Sequence, residues 1–304
     1  MRRPRPGRTL LGAATVAVAL ATTACVVPVP PPPDTSTTTT STTAPPPAVP
    51  RFDHVVVVVE ENRSASSIIG SSSAPYINSL AGDGALFTQS YATHHPSQPN
   101  YLALFSGSAQ GVTDDRCPPP GSPYATANLG GQLLAAGLTF TGYSEDLPAA
   151  GSTVCSNGGS PGYQRKHNPW VDFSDVPPAS NQPFTAFPSD LSTLPTVSFV
   201  VPNQLHDMHD GTVAQGDTWL RDNLDGYARW AATHNSLLIV TWDEDDYLGT
   251  NQIATIFVGA HVVPGSYPER IDHYRVLRTL QDMYGLPPTA NSASATAITD
   301  VWAP

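Results

Sequence analysis

The chain has 304 residues, which is long enough for one large domain with a sizeable core. Its formal net charge is −11, and this argues against a nucleic-acid-binding protein because phosphate backbones are held by Lys and Arg. Hydrophobic residues make up 40% and charged residues 13%, a composition that fits a globular body with Pro-, Ser- and Thr-rich additions.

The first 24 residues have the pattern of a secretion signal. Basic residues at Arg2, Arg3, Arg5 and Arg8 precede an apolar run at 10–21, which is short for a membrane span. The run ends in small residues followed by Cys25, as in a bacterial lipoprotein cleavage box, although Thr22 stands where Leu is usual. We expect export, with either a lipid on Cys25 as the only membrane anchor or simple cleavage nearby.

Residues 25–50 form a segment rich in Pro and Thr, with Asp34 as its only acidic residue. Such a composition cannot bury a core and favours an extended linker. We therefore expect a tether at 25–50 and a catalytic domain at 51–304. A segment of the same composition without any tethering role remains the alternative.

The chain contains three cysteines. If Cys25 carries a lipid, Cys117 and Cys155 remain as a pair in loops rich in Gly, Pro and Ser. In an exported protein, an even remainder favours one disulfide. Two free thiols are the alternative, and no cysteine spacing typical of a metal site is present.

Strand and helix patterns alternate from Phe52 onward. Apolar runs predict strands at 55–59, 138–143, 196–201, 236–242 and 254–258. Helical spacing and stop signals predict helices at 100–105, 129–136, 218–233 and 272–284. This alternation predicts an α/β domain with a mostly parallel sheet, with neither an internal repeat nor a second domain.

Polar clusters follow three of the predicted strands, at 60–63, 206–210 and 243–246. Ligands of parallel sheets bind outside the carboxyl ends of the strands, so we expect these clusters to converge. The acidic clusters at 60–63 and 243–246 suit a divalent cation, because adjacent acids repel one another without a compensating charge. A solvated charged loop is the alternative for each.

Two further clusters contain potential catalytic or ligating side chains. In the segment 94–101, Pro96 and Pro99 bracket Ser97, and a helix starting near Asn100 would point free N–H groups at a phosphate. An ordinary proline-rich helix cap explains the same residues. In the segment 206–211, two histidines and two aspartates within five positions favour a metal site over a structural role.

Five separated motifs together resemble the phosphoesterase family of bacterial acid phosphatases and phospholipases C, within the alkaline-phosphatase superfamily. They are VVVVEENRS at 56–64, PSQPNYLALFSG at 96–107, DMHD at 207–210, TWDE at 241–244 and HY at 273–274. The resemblance covers about Phe52 to Pro287. It implies a three-layer α/β/α sandwich with a metal-bound serine nucleophile.

The resemblance also implies roles for individual residues. Ser97 matches the nucleophile and Asn100 a phosphate-contacting amide. Four residues match the positions that hold the metal beside the nucleophile: Glu61, Asn62, Asp243 and Glu244. Three others match the region that supplies a second metal in two-metal relatives: Asp207, His209 and His273. The roles of His94, His95 and His206 are left open.

The sequence thus predicts an exported, metal-dependent, acid-phosphatase-like enzyme that hydrolyses small phosphate monoesters. Coordination to one or two divalent cations of undetermined identity would activate the Ser97 hydroxyl for attack on phosphorus. The alternative within the enzyme class is a phospholipase C-type phosphodiesterase. A surface-tethered binding protein that has lost catalysis is the alternative outside it.

Overall fold

A nine-stranded sheet forms the centre of the fold in the computed structural model, which describes residues 49–159 and 161–303. The strands are β1 (His54–Glu60), β2 (Ala85–Tyr91), β3 (Phe140–Ser144), β4 (Asn181–Pro183), β5 (Val197–Val201), β6 (Ser236–Trp242), β7 (Gln252–Ile253), β8 (Thr255–Gly259) and β9 (Gly265–Asp272). The helices are α1 (Ala65–Ile68), α2 (Pro75–Asp83), α3 (Ser97–Ser106), α4 (Leu129–Ala135), α5 (Val213–Ala231) and α6 (His273–Met283).

The sheet is mostly parallel, as the alternation of strands and helices predicts. Its order is β4-β3-β5-β1-β6-β8-β2-β7, and β9 pairs with β2. The five strands from β4 to β6 run parallel, whereas β8 is antiparallel to both β6 and β2. In the centre, β1 lies between β5 and β6, so the carboxyl ends of three strands meet at one edge.

Helices cover both faces of the sheet. Val55, Val57 and Val59 point into a core formed with α3, α4 and α6. Val56 and Val58 point into a second core formed with α1, α2 and α5. Because successive side chains of a strand face opposite ways, a strand between two helical layers must be apolar at every position. The three-layer α/β/α architecture is therefore confirmed.

The bounds of α3 differ from the prediction in a way that matters for the site. Treating Pro96 and Pro99 as turn signals places the helix start at Asn100, but α3 begins at Ser97. Pro99 fits in the first turn because N–H groups there have no partner within the helix. Ser97 is consequently the first residue of a helix that is buried along its whole length.

Cys117 and Cys155 form a disulfide, as predicted for the exported context. The signal segment, Cys25 and nearly all of the proposed linker lie outside the described residues. The described residues belong to one compact unit. Among them, none of the helices combines the length and the apolar character that a membrane span requires.

Candidate active site

The site is built where β1 and β6 end side by side. Glu60 of β1 is in register with Trp242 of β6, so the residues that follow, Glu61 and Asp243, leave the sheet together. The backbone N–H of Asn62 donates to Asp243 Oδ1 at 3.1 Å. The backbone N–H of Glu61 donates to the carbonyl of Asp207 at 2.7 Å, which brings in the segment after β5. The predicted convergence of the three polar clusters at this edge is therefore present.

Ser97 lies against these carboxylates. Its hydroxyl donates to Glu61 Oε2 at 3.0 Å and lies 3.4 Å from Glu244 Oε1. The serine is 1% exposed, and Glu61, Asp243 and Glu244 are buried to the same degree. Because these three acids are buried, the alternative of a solvated charged loop is wrong for them. Ser97 sits instead in a buried group of acids contributed by two strand ends.

His167 joins the site although no sequence pattern indicates it. It ends a short 3₁₀ helix at Arg165–His167, is 1% exposed, and stacks on the ring of Tyr101 from α3. Its Nε2 lies 3.0 Å from Glu61 Oε1 and its Nδ1 3.5 Å from Asp207 Oδ2. A single histidine in an irregular segment has no spacing signal, so only the folded chain places it here.

The buried polar atoms of this group fit a divalent cation. His167 Nε2 and Glu61 Oε1 are close, yet no hydrogen bond joins them. Oxygens of Asn62, Asp207 and Asp243 are likewise buried without a partner. Donor atoms of Glu61, His167 and Asp207 all lie within 4.8 Å of one another. Buried lone pairs normally find a donor, so a group of unpaired ones can hold a metal ion.

The protonation of the carboxylates supports the same conclusion. Burial raises the pKa of Glu61 and Asp207 well above their usual values, and the charge of Asp243 adds to both shifts. Burial also raises the pKa of Asp243 to about 6. Burial and the Asp243 charge raise the pKa of Glu244 to about 9. Without a cation, these acids stay protonated to a higher pH than usual. A bound cation would stabilise their ionised form.

Asn100 shapes the segment that leads to Ser97. Its side-chain oxygen accepts from the backbone N–H groups of Thr93 and His94, and its amide nitrogen donates to the carbonyls of His94 and Pro96. The same nitrogen lies 3.5 Å from Glu244 Oε2. These bonds hold the chain before the helix in position. A phosphate contact from this amide stays a prediction.

The proposed second-metal residues are not gathered at one point. Asp207 lies with Glu61 and His167. The ring of His209 is 6.3 Å from that of His167, and its Nδ1 is paired with Asp210 at 2.8 Å. His273 begins α6, with Nε2 at 3.0 Å from the carbonyl of Trp242, the residue before Asp243, and Nδ1 buried without a partner.

The structure also places the histidines that the sequence left open. His95 is partly exposed beside the site, with Nδ1 at 2.6 Å from Glu244 Oε2, and Tyr247 stacks on its ring at 4.0 Å. His94 Nδ1 is paired with Thr93 Oγ1. His206 pairs with Glu145 at 2.8 Å.

The four consecutive acids after β6 divide into two pairs. Asp243 and Glu244 face Ser97. Asp245 accepts hydrogen bonds from the N–H groups of Tyr247 and Asn251 and so shapes the loop that follows. Asp246 accepts from Leu248 N–H. Asp243 and Glu244 therefore belong to the site, and Asp245 borders it through His95 Nε2 at 3.5 Å.

A buried serine at a helix start, with acids around it at the edge of a mostly parallel sheet, suits a hydrolase that acts on phosphate esters. A sequence model of the phosphoesterase family matches residues 71–287, and the chain belongs to this family. The match begins after the acidic cluster at 60–63, which the structure nevertheless joins to the matched part.

Named relatives agree with the family. The chain is 58% identical over 237 residues to the phosphatidylinositol-3-phosphatase of Mycobacterium tuberculosis, covering 77% of this chain and 78% of that protein. It is 32% identical over 232 residues to the phosphate-repressible acid phosphatase of Penicillium chrysogenum, covering 69% of this chain and 54% of that protein. The chain thus spans about half the length of the fungal relative. The family and these relatives show that the present chain is a hydrolase of phosphate esters.

Solved structures show the fold. A protein in the alkaline phosphatase superfamily from Vibrio parahaemolyticus is similar with a TM-score of 0.56 at 14% identity, covering 83% of this chain and 72% of that chain. A phosphonate monoester hydrolase from Silicibacter pomeroyi is similar with a TM-score of 0.53 at 10% identity, covering 82% of this chain and 76% of that chain. The alkaline-phosphatase-like fold predicted from the sequence is confirmed.

Proposed function

We propose that the protein is a metal-dependent phosphomonoesterase in which Ser97 is the nucleophile. The observation that carries this proposal is the position of the Ser97 hydroxyl, 3.0 Å from Glu61 Oε2 inside the group of unpaired buried ligands. A structural serine would be satisfied by one backbone carbonyl. Here the hydroxyl is directed at the acids that suit a cation.

The residues of the chain divide the chemistry among them. Glu61, His167 and Asp207 would hold the cation, with Asn62, Asp243 and Glu244 beside them. Such a cation supplies positive charge that lowers the pKa of a hydroxyl and draws electrons from a phosphoryl group. Ser97 Oγ forms a bond to phosphorus while the bond to the leaving-group oxygen breaks, and water then releases phosphate from the phosphoserine.

For the substrate we propose a phosphorylated inositol lipid, with the phosphate present as a monoester. The support is the 58% identity to a protein named phosphatidylinositol-3-phosphatase, which extends over 77% of this chain. The phosphodiesterase alternative has no such relative among those described above. A binding protein without catalysis would not need a serine hydroxyl directed at the buried acids Glu61 and Glu244.

The test compares substrates and variants. The parent protein should release phosphate from p-nitrophenyl phosphate and from vesicles containing phosphatidylinositol 3-phosphate, should leave a phosphocholine diester intact, and should stop when EDTA is added. Ser97→Ala should lose several orders of magnitude in turnover and keep the thermal midpoint of the parent. An Ala variant within about threefold of the parent rate would exclude Ser97 as the nucleophile.

A second variant tests the ligands. Asp243→Asn should retain less metal, because an amide lacks the charge that holds the cation. Metal content measured on purified protein is the readout, with Asp246→Asn as the matched control, since Asp246 accepts a loop N–H outside the site. Equal metal content in the two variants would remove Asp243 from the ligand set.

We also propose that the protein is exported and anchored by a lipid on Cys25. The support is the basic and apolar start of the sequence together with the disulfide, which suits an oxidising compartment. Metabolic labelling with a fatty acid should mark the parent and leave Cys25→Ser unlabelled. A parent that is exported without label would leave simple cleavage as the explanation.

A further inference from the structure

Lys166 is the only lysine in the 304-residue chain, and it lies beside the candidate active site. It directly precedes His167, and its side chain is 13% exposed. Its Nζ donates to Asp115 Oδ2 at 2.9 Å. The other carboxylate oxygen of Asp115 accepts from the backbone N–H of Gln98 at 3.0 Å. Lys166 is thereby connected to the first turn of α3, one residue from Ser97.

The hydrogen-bonding capacity of Lys166 is only partly used. An ammonium group has three N–H donors, and among the described residues only Asp115 accepts one of them. Arg63, which follows the site residue Asn62, differs in this respect, because its guanidinium donates to the carbonyls of Asn62 and Gly211. Two donors of Lys166 therefore remain for another acceptor, at a position that Asp115 links to Gln98, the residue after the proposed nucleophile.

The positive charge of Lys166 lies beside the site, because its Nζ contacts Asp115, which in turn accepts from the first turn of α3. A lysine ammonium has only N–H donors and no acceptor atom. An anion is therefore the partner that its remaining donors suit.

We propose that Lys166 binds a non-bridging oxygen of the substrate phosphate through its free N–H groups. The inference rests on the proposed function and assigns a catalytic residue to it. A phosphate monoester is an anion that the surrounding carboxylates repel. A cation held by Glu61, His167 and Asp207 would reduce that repulsion. The charge of Lys166, whose Nζ contacts Asp115, would reduce it further. Hydrogen bonds between ionised partners are the strong ones, so this contact also orients the phosphorus toward Ser97.

Inhibition by inorganic phosphate measures the contact in the metal-loaded protein. Lys166→Gln should raise the Ki of phosphate about 10- to 100-fold, the effect of losing one charge-assisted hydrogen bond. Lys166→Arg should recover most of the affinity because it keeps a cationic donor. If Lys166 served only to hold Asp115 against α3, Asp115→Asn would raise the Ki as much as Lys166→Gln does. We expect a much smaller rise in Asp115→Asn, and equal rises would overturn the proposal.

A measurement on the unmutated protein remains valid even if a variant fails to fold. Because the chain has a single lysine, labelling with [¹³C]lysine gives one side-chain Cε resonance, that of Lys166. Titration with inorganic phosphate should shift this resonance with the same Kd that calorimetry reports, and chloride at equal ionic strength should not shift it. A resonance that stays in place while calorimetry shows phosphate binding would refute the contact, and so would the absence of any phosphate binding.

The two proposals fail differently. Phosphate binding and the Lys166 resonance require no turnover. A protein that binds phosphate and shifts the resonance, but hydrolyses no monoester, would refute the proposed function and support the Lys166 contact. A protein that hydrolyses monoesters, but whose Lys166 resonance is unchanged at saturating phosphate, would support the proposed function and refute the Lys166 contact.

Discussion

Removing divalent cations should make the stability of the protein fall as the pH rises from 6.5 to 9. Burial and the charge of Asp243 raise the pKa of Glu244 from 4.5 to about 9 in the folded state. Between these values the folded protein binds a proton that the unfolded chain has released. The stability due to this proton is complete below pH 4.5 and is lost as the pH rises through about 9.

The size of the effect follows from the width of the window. At pH 6.5 a histidine whose pKa is lowered in the fold, such as His273 at about 4, is neutral in the folded protein and half protonated in the unfolded chain, so each one offsets at most about 0.4 kcal/mol of the loss as the pH rises. From pH 6.5 to the Glu244 pKa of about 9 there are about 2.5 units. At about 1.36 kcal/mol per unit, the contribution of Glu244 to the free energy of unfolding should fall by about 3 kcal/mol. The raised pKa values of Glu61 and Asp207 act in the same direction.

Urea unfolding in EDTA at the two pH values measures this loss, with metal-saturated protein as the comparison. A bound cation stabilises the ionised carboxylates, so the loaded protein should lose much less stability over the same range. Glu244→Gln without metal should also lose less, because the amide does not titrate. A metal-free parent whose stability is constant or rises from pH 6.5 to 9 would refute the reasoning, since Glu244 would then be ionised in the fold.

Three further predictions concern the fold and the chemistry. Replacing Cys117 and Cys155 together by Ser should lower the free energy of unfolding by about 2–4 kcal/mol, measured by urea titration, because the disulfide closes a loop with a sequence separation of 38; an unchanged midpoint would contradict this. Gly142→Ala should destabilise the protein by about 1–3 kcal/mol, since a Cβ there would lie 2.1 Å from the Trp170 ring, and calorimetry with an unshifted melting temperature would rule out that clash. If turnover passes through a phosphoserine at Ser97, added glycerol should accept the phosphoryl group, so that p-nitrophenol release exceeds free phosphate; equal release at high glycerol, or inversion at phosphorus in the transferred product, would favour direct attack by water.

Local sequence patterns predicted much of the fold. The apolar run at 55–59 predicts a strand buried on both faces, and β1 has helices on both sides. The run at 236–242 coincides with β6. Strands with weaker patterns, such as β2 and β9, were not predicted, because they pair near the sheet edge and their side chains are partly exposed.

Local patterns were less informative about which polar residues act together. His206 and Asp207 are adjacent, yet one pairs with Glu145 and the other joins Glu61. Asp243 and Asp245 belong to one acidic run, yet only the first lies at Ser97. The direction of each side chain depends on the path of the backbone after the strand, and the sequence pattern does not specify that path.

The sequence by itself determined the elements that bury apolar surface, the positions of the polar clusters at strand ends, and the restricted backbone of the proline-bracketed segment around Ser97. These follow from periodicity and from the restricted geometry of proline, which act over a few residues. Only the tertiary structure brought His167 to Glu61 and Lys166 to the start of α3. Both residues come from an irregular segment far along the chain, and they reach the site only because the sheet and the packed helices bring that segment to it.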